Sequence, residues 1–162
     1  MIYDRSKSCC FTGHRIIPRA EVSTIRGRTA LAVLALYHEG YRAFIAGGAL
    51  GFDTIAAEIV LALKEKYPDI LLVLVLPSAD QASRWHAAER AHYDAIKERA
   101  DEVICLAPQY YDGCMQARNR RMVEMSGACI AYMTRPHSGA GQTVRMAEKA
   151  GLPVTTVASV KL

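Results

Sequence analysis

The sequence has few of the features that mark secreted, membrane or metal-binding proteins. Its 162 residues include five cysteines, an odd number, with no C-x-x-C pair and no Cys/His ligand spacing. The most apolar run, Ile70–Leu76, is far too short to span a bilayer, and the N-terminus has no apolar segment typical of a signal peptide. These absences predict a cytoplasmic protein with no structural metal and no membrane contact, and no pattern in the chain indicates a cofactor.

Charge and aromatic content are also modest. The net charge is +4, and aromatic residues make up 7 % of the chain, with one tryptophan. Such a charge permits an anionic ligand, but without a clustered basic face it does not by itself indicate nucleic-acid binding. Apolar residues make up 51 %. With no linker or repeat in between, residues 1–162 are predicted to form one domain with a sizeable core.

Short apolar runs alternate with helical patterns along the whole chain. Strands are predicted at Ser8–Thr12, Ala43–Ala46, Ile70–Leu76, Glu102–Leu106, Ala128–Met133 and Pro153–Ala158. Helices are predicted at Val22–Glu39, Asp53–Lys66, Trp85–Ala100, Cys114–Ser126 and Gln142–Ala150. This alternation predicts an α/β fold, a three-layer αβα sandwich with a mainly parallel sheet.

A glycine-rich turn follows the second predicted strand. It contains Gly47, Gly48 and Gly51, and Asp53 opens the helix behind it. Glycines between a strand and a helix let the backbone approach a ligand closely, and the helix N-terminus favours an anion. The turn therefore fits a phosphate or nucleotide site. It also fits a tight turn that binds nothing, with Asp53 as the helix N-cap.

Ligands of parallel sheets bind beyond the carboxyl ends of the strands, where the winding direction reverses. Four segments follow strand ends here: Thr12–Arg15, Gly47–Asp53, Pro77–Gln81 and Thr134–Thr143. The last of them carries a second glycine-bearing turn, His137–Thr143, in which small residues and hydroxyls would suit a phosphate. Two such turns on one edge strengthen the prediction of a ligand site there.

Polar side chains near this edge are further candidates for ligand contacts. Thr12, Gly13, His14 and Arg15 offer a hydroxyl, a titratable ring and a fixed positive charge. Arg15 fits a bidentate phosphate contact, or else a solvated surface charge. His14 fits a general base and a hydrogen-bonding loop residue equally well.

In the helix that contains MQARNRRM, Arg118 and Asn119 are predicted to lie near the ligand. Gln81 and Trp85 pass over the same edge. Trp85 is predicted either to stack on a base or to pack in the core.

Carboxylates are scarce around the glycine turns. Asp53 is the only acidic residue in either turn, and no Ser-His-Asp or Cys-His arrangement follows from the spacing. Acid–base hydrolysis needs a positioned carboxylate or histidine. No catalytic residue is therefore assigned.

Five segments in order resemble the SLOG superfamily, and within it the uncharacterised bacterial YpsA-like branch. They are CCFTGHR, AGGALGFDTIAAE, QASRW, CMQARNRRM and SGAGQTVRMAEKAG. The resemblance implies a Rossmann-like fold that binds a nucleotide-type ligand, and it allows a homodimer, which is common in the superfamily. The residues it places around the ligand are Gly47, Gly48, Gly51, Asp53, Arg118, Asn119, Gly139, Gly141, Gln142 and Thr143.

Two better-known branches share parts of these motifs. GGALGFD and ARNR resemble DNA-processing protein A, which binds single-stranded DNA. The Arg-Asn pair and the later glycine turn resemble the LOG phosphoribohydrolases, but Val144 and Arg145 stand where catalytic glutamates would be expected. Three hypotheses stay open: a nucleotide sensor, an enzyme acting on a nucleotide or nucleotide sugar, and a single-stranded DNA-binding module.

Overall fold

The computed structural model describes residues 4–158, which form a parallel sheet with helices on both faces. The strands are β1 (Ser8–Gly13), β2 (Ala43–Ala46), β3 (Leu71–Leu76), β4 (Glu102–Cys105), β5 (Ala128–Tyr132) and β6 (Val154–Thr156). The helices are α1 (Val22–His38), α2 (Phe52–Lys66), α3 (Ala87–Arg99), α4 (Cys114–Glu124) and α5 (Gly139–Lys149). Within this part of the chain no helix is both long and apolar enough to cross a membrane.

The strand order is β4-β3-β2-β1-β5-β6, and every pair is parallel. The chain runs outward from β1 to β4 and then crosses back to place β5 on the other side of β1. The winding direction therefore reverses between β1 and β5. In open α/β sheets this is the place where ligands bind.

Two apolar layers cover the sheet. Residues of α1, α2 and α3 pack with Phe11 and Phe44 on one face. Residues of α4 and α5 pack with Ile45 and Val75 on the other face. The continuous apolar run of β3 is buried because both faces are covered, as is usual for a central parallel strand. The predicted Rossmann-like three-layer sandwich is confirmed.

All six predicted strands and all five predicted helices are present, with one informative error in their bounds. The sequence pattern begins the last helix at Gln142, whereas α5 begins at Gly139. The reason is Ser138, whose side chain accepts a hydrogen bond from the Gly141 N–H at 3.0 Å and caps the helix. The second glycine turn is thus the first turn of α5.

Candidate functional site

A cavity of about 320 Å3, here called the main cavity, opens at the carboxyl ends of β1 and β5. The segment after β1, the first turn of α5 and one side of α4 form its walls. The predicted site residues that line it are Thr12, Gly13, His14, Arg15, Asp53, Arg118, Asn119 and Gly139. The structure therefore brings together half of the predicted set at the reversal point of the sheet.

Arg118 is the most firmly held side chain of the main cavity. It is 5 % exposed, and its Nη1 atom donates a hydrogen bond of 2.5 Å to the Gly47 carbonyl. Its Nε atom donates to Asn119 Oδ1 at 2.8 Å. Burial lowers the pKa of the guanidinium, and the negative charge of Asp53 opposes this shift. Arg118 is thus a fixed cation that joins α4 to the loop after β2.

Asp53 is the only carboxylate among the described residues that line the main cavity. Its Oδ2 atom accepts a hydrogen bond from the Ala49 N–H at 3.3 Å. Burial raises the pKa of the carboxyl above its ordinary value, while the charge of Arg118 and the Ala49 N–H act against the rise. The expectation of Asp53 as the N-cap of α2 is wrong, because Gly51 occupies that position and Asp53 bonds backward to the loop.

Gly47 lies between these two charged groups. A Cβ atom at this position would lie 2.7 Å from Arg118 Cζ and 2.8 Å from Asp53 Oδ2, both too close for real atoms. Only glycine therefore allows the guanidinium and the carboxylate to approach the loop together. Gly47 is buried and supports the main cavity from behind without lining it.

Gly48 and Gly51, the other glycines of the turn after β2, also leave space for neighbouring atoms of the protein. Gly51 has φ +79°, and its Cβ would lie 2.5 Å from the Arg15 carbonyl carbon. Gly48 has φ +72°, and its Cβ would lie 2.9 Å from Leu76 Cδ2. Both positions favour glycine for backbone conformation and internal packing. Neither residue lines the main cavity.

His14 connects the segment after β1 to the loop after β5 through hydrogen bonds. Its Nε2 atom accepts hydrogen bonds from the backbone N–H of Thr134 at 2.9 Å and of Arg135 at 3.3 Å. Since both partners are donors, Nε2 carries no proton and the ring is the neutral Nδ1–H tautomer. Burial lowers the pKa of His14, and the charge of Arg135 lowers it further. The Nε2 lone pair is therefore occupied within the protein.

The first turn of α5 forms the opposite wall. Gly139 and Ala140 line the main cavity, and within residues 4–158 their backbone N–H groups have no hydrogen-bond partner. A Cβ on Gly139 would meet nothing within 4 Å. Gly139, unlike the glycines of the turn after β2, leaves open space on the cavity side of a helix N-terminus.

Three predicted residues of this segment lie outside the lining of the main cavity. Gly141 packs under Pro136, whose carbonyl carbon would lie 2.6 Å from an added Cβ. Thr143 is buried and donates to the Gly139 carbonyl at 3.0 Å. Gln142 is exposed on α5. Because the segment is helical from Gly139, the side chains of Gln142 and Thr143 take directions set by the helix, which differ from those of a loop.

Gln81 and Trp85 line a second cavity, here called the side cavity, of about 560 Å3. It adjoins the main cavity, since Arg15 and Met115 line both. Trp85 packs edge-to-face on Tyr93 with ring centroids 5.1 Å apart, so that it is both a packing residue and part of a cavity wall.

The lining of the main cavity also contains seven residues outside the predicted set, namely Phe11, Ile16, Ala49, Met115, Arg135, Ser138 and Ala140. Ser138 could have been found as a helix-capping serine before small residues. Arg135 follows the end of β5 and could have been found by the same rule that selected Arg15.

The lining thus holds three arginines and one carboxylate, beside a helix N-terminus with two unpaired N–H groups. A small concave site with this excess of positive charge concentrates anions. Phosphate is well suited to it, because guanidinium groups and helix N-termini both bind phosphate oxygens.

Comparison with known proteins agrees with the fold. Residues 18–157 match the YspA SLOG family, YpsA. A UPF0398 protein of Halalkalibacterium halodurans is 38 % identical over 103 residues, which cover 62 % of this chain and 54 % of that protein. The match thus spans only about half the length of this curated relative.

Two solved structures share the architecture at low sequence identity. DNA processing protein A from Streptococcus pneumoniae has a TM-score of 0.66 and 18 % identity, covering 92 % of this chain and 49 % of that one. The Helicobacter pylori protein of the same name, described with a single-stranded DNA binding mode, has a TM-score of 0.66 and 20 % identity, covering 94 % and 65 %. The family model matches most of the chain, and the chain therefore belongs to the YspA SLOG family.

Proposed function

We propose that this protein binds a nucleotide or nucleotide-derived molecule in the main cavity, with a phosphate seated at the N-terminus of α5. The observation that carries the proposal is the pair of unpaired N–H groups on Gly139 and Ala140, which line the same cavity as the buried Arg118. A helix N-terminus and a buried guanidinium supply separate and additive attraction for a phosphate.

The same geometry favours a ligand sensor over a hydrolase. His14 Nε2 is bonded to two backbone donors and is not free to take a proton from a substrate. Val144 is buried in the core, and Arg145 donates to the Pro136 carbonyl at 2.7 Å, so neither position supplies an acid. Among the described residues that line the main cavity, Asp53 is the only carboxylate, so acid–base turnover by a carboxylate there would have to depend on it.

A pair of glycine substitutions tests the proposal. Gly139→Val adds a side chain in the space a phosphate would occupy, and its Cβ would meet nothing within 4 Å in the free protein. Gly27→Val is the matched control, since Gly27 also lies in a helix with nothing within 4 Å of its Cβ, but in α1 and outside the main cavity.

Thermal stabilisation by nucleoside mono- and diphosphates, dinucleotides and nucleotide sugars is measured for both variants and the wild type, because a ligand that binds only the folded state raises its stability. We expect stabilisation of the wild type and the Gly27→Val variant, and its loss in Gly139→Val. Equal stabilisation of all three proteins contradicts a phosphate site at α5.

Single-stranded DNA is the second candidate ligand. Arg120 and Arg121 are exposed on α4, and the Helicobacter pylori neighbour is described as binding single-stranded DNA. Binding to an exposed arginine surface depends steeply on salt concentration. An oligonucleotide titration at two salt concentrations separates the candidates: a diffuse DNA surface loses affinity when Arg120 or Arg121 is changed to alanine, whereas the main cavity does not.

A further inference from the structure

A larger cavity, of about 720 Å3 and here called the outer cavity, adjoins the main cavity at the carboxyl ends of β5 and β6. His14, Ile16 and Arg135 line both cavities, so one ligand can extend from the main cavity into the outer one. The volume lies within the roughly 300–1,000 Å3 of small-molecule sites. Neither Arg118 nor the first turn of α5 lines the outer cavity, which therefore suits a part of the ligand other than the phosphate at α5.

Two nearly buried side chains of the outer cavity carry polar atoms without a partner. Tyr132 is 2 % exposed and His14 is 6 % exposed, and within residues 4–158 neither the Tyr132 hydroxyl nor His14 Nδ1 makes a hydrogen bond. Among the buried and half-buried residues that the structure describes, fully enclosed side-chain oxygen or nitrogen atoms without a partner occur only in Ser78, Gln81 and Glu102. The hydroxyl and the Nδ1–H group therefore keep accessible surface, and a ligand can reach both.

Two side chains of opposite charge lie near the Tyr132 hydroxyl. Glu21, at the end of the helical turn Arg19–Glu21, and Arg135, in the loop after β5, both line the outer cavity. Burial and the negative charge of Glu21 raise the pKa of Tyr132, while the positive charge of Arg135 acts against the rise. Within residues 4–158 neither charged side chain forms an ion pair or a hydrogen bond. Both remain available to a ligand.

These groups together favour a neutral ligand group that carries hydroxyls. The Glu21 carboxylate repels a second phosphate, and the Arg135 guanidinium repels a cation. A base needs an aromatic face, but the ring of Tyr132 stacks on Phe52 at 6.0 Å and meets His14 edge to face at 5.6 Å between centroids, so that its hydroxyl is the part left for a ligand. Adjacent hydroxyls can donate to the Glu21 carboxylate and accept from the Tyr132 hydroxyl and the His14 Nδ1–H group.

We infer that the outer cavity binds the vicinal hydroxyls of a sugar joined through phosphate to the nucleotide in the main cavity, an inference that rests on the function proposed above. Arg135 lines both cavities, so its guanidinium can contact the linking phosphate. The class of ligand is then a nucleotide sugar. A nucleotide without the second sugar fills the main cavity alone.

Tyr132→Phe is the decisive variant, with Tyr41→Phe as its matched control. Both tyrosines are buried, but Tyr41 lines neither the main cavity nor the outer cavity. Because the Tyr132 hydroxyl has no partner in the free protein, Tyr132→Phe keeps the ring contacts, and its denaturant midpoint is expected to match that of the wild type. Its affinity for a nucleotide sugar is expected to fall about two- to tenfold, the loss of one hydrogen bond, with no loss of affinity for the nucleoside diphosphate.

Glu21→Gln is the second variant, because the sign of its effect distinguishes a sugar from a phosphate in the outer cavity. The change removes the negative charge and keeps the size of the side chain. A sugar that donates to the carboxylate loses affinity, again about two- to tenfold. A phosphate in the same place would gain affinity, because the repulsion by Glu21 is removed.

Calorimetric titrations of the wild type and the three variants compare ADP with ADP-glucose, UDP with UDP-glucose, and GDP with GDP-mannose. For at least one pair, we expect Tyr132→Phe and Glu21→Gln to lose affinity for the nucleotide sugar but not for the nucleoside diphosphate, and Tyr41→Phe to bind both as the wild type does.

Four outcomes contradict this expectation. If the two variants leave both affinities unchanged, or lower both equally, the sugar site is overturned. A higher affinity of Glu21→Gln for the nucleotide sugar overturns it in favour of a second phosphate. In each of these cases, loss of binding of both probes in Gly139→Val means that the phosphate site at α5 stands. If no probe binds the wild type, the sugar site and the proposed function are both overturned.

Discussion

Replacing Gly47 by alanine is expected to disrupt the contact between the loop after β2 and α4. The added methyl group would lie 2.7 Å from Arg118 Cζ and 2.8 Å from Asp53 Oδ2. Both side chains are buried, so neither has free space into which it can move. One of them must therefore shift. The hydrogen bond from Arg118 to the Gly47 carbonyl is the contact that this shift lengthens most directly.

The expected cost follows from these contacts. A hydrogen bond to a charged group contributes about 1.5–3 kcal/mol, and one extra methyl group in a well-packed region costs about 1–3 kcal/mol. The two effects overlap, because relief of the clash is what lengthens the hydrogen bond. We therefore expect the free energy of unfolding to fall by about 2–4 kcal/mol in Gly47→Ala.

Urea unfolding at neutral pH measures this change, with Gly139→Ala as the control. Both glycines belong to the predicted nucleotide site, but a Cβ on Gly139 meets nothing within 4 Å. The control is expected to stay within about 0.5 kcal/mol of the wild type, as is usual for surface substitutions. A Gly47→Ala variant that also stays within about 0.5 kcal/mol would refute the argument that Gly47 is required by Arg118 and Asp53.

Three further predictions concern the same site. Since the pKa of His14 is lowered in the folded protein, its contribution to stability is present at neutral pH and is lost as the pH falls below about 6.5. One such group adds at most about 1.4 kcal/mol per pH unit to the slope of the free energy of unfolding against pH. We expect a shallower slope below pH 6.5 in His14→Gln, and an unchanged slope contradicts this expectation. Arg118→Lys should weaken nucleotide binding about tenfold or more, because lysine cannot keep the planar fork of donors. The same change at the exposed Arg120 should leave the affinity unchanged. Equal losses of affinity for both variants, in calorimetric titrations at two salt concentrations, would favour a diffuse basic surface. Wild-type protein incubated with adenosine monophosphate should release no free base, as measured by chromatography, since Val144 and Arg145 replace the expected glutamates. Release of base in proportion to the protein concentration would contradict a sensor without turnover.

The fold was predictable because it depends on patterns that the sequence displays directly. Six apolar runs and five helical patterns alternate, and the continuous run at Ile70–Leu76 indicates a strand covered on both faces. The start of α5 was not predictable from helix propensity, which disfavours Gly139 and Gly141. It depends on the cap at Ser138, which a serine before small residues does signal, and on the close packing of Gly141 under Pro136, which is a property of the folded chain.

The candidate site was predictable in its location but only partly in the roles of its residues. Arg118 and Asn119 were predicted to lie near the ligand, because an asparagine between arginines is not typical of a solubilising surface, and both line the main cavity. A sequence does not reveal whether a glycine makes room for a ligand or for the protein's own backbone, and Gly48 and Gly51 do the latter. Likewise, His14 was an equally good proton acceptor or loop residue until its two backbone donors were identified.

The position of β1 has a consequence for biosynthesis. β1 pairs with β2 on one side and with β5 on the other, so one edge of this early strand stays unpaired until residues 128–132 have left the ribosome. An unpaired, largely buried strand is prone to pair with other chains. A nascent chain that stops after β4 therefore exposes the edge of its central strand to aggregation, and the domain gains protection only when its last third is translated.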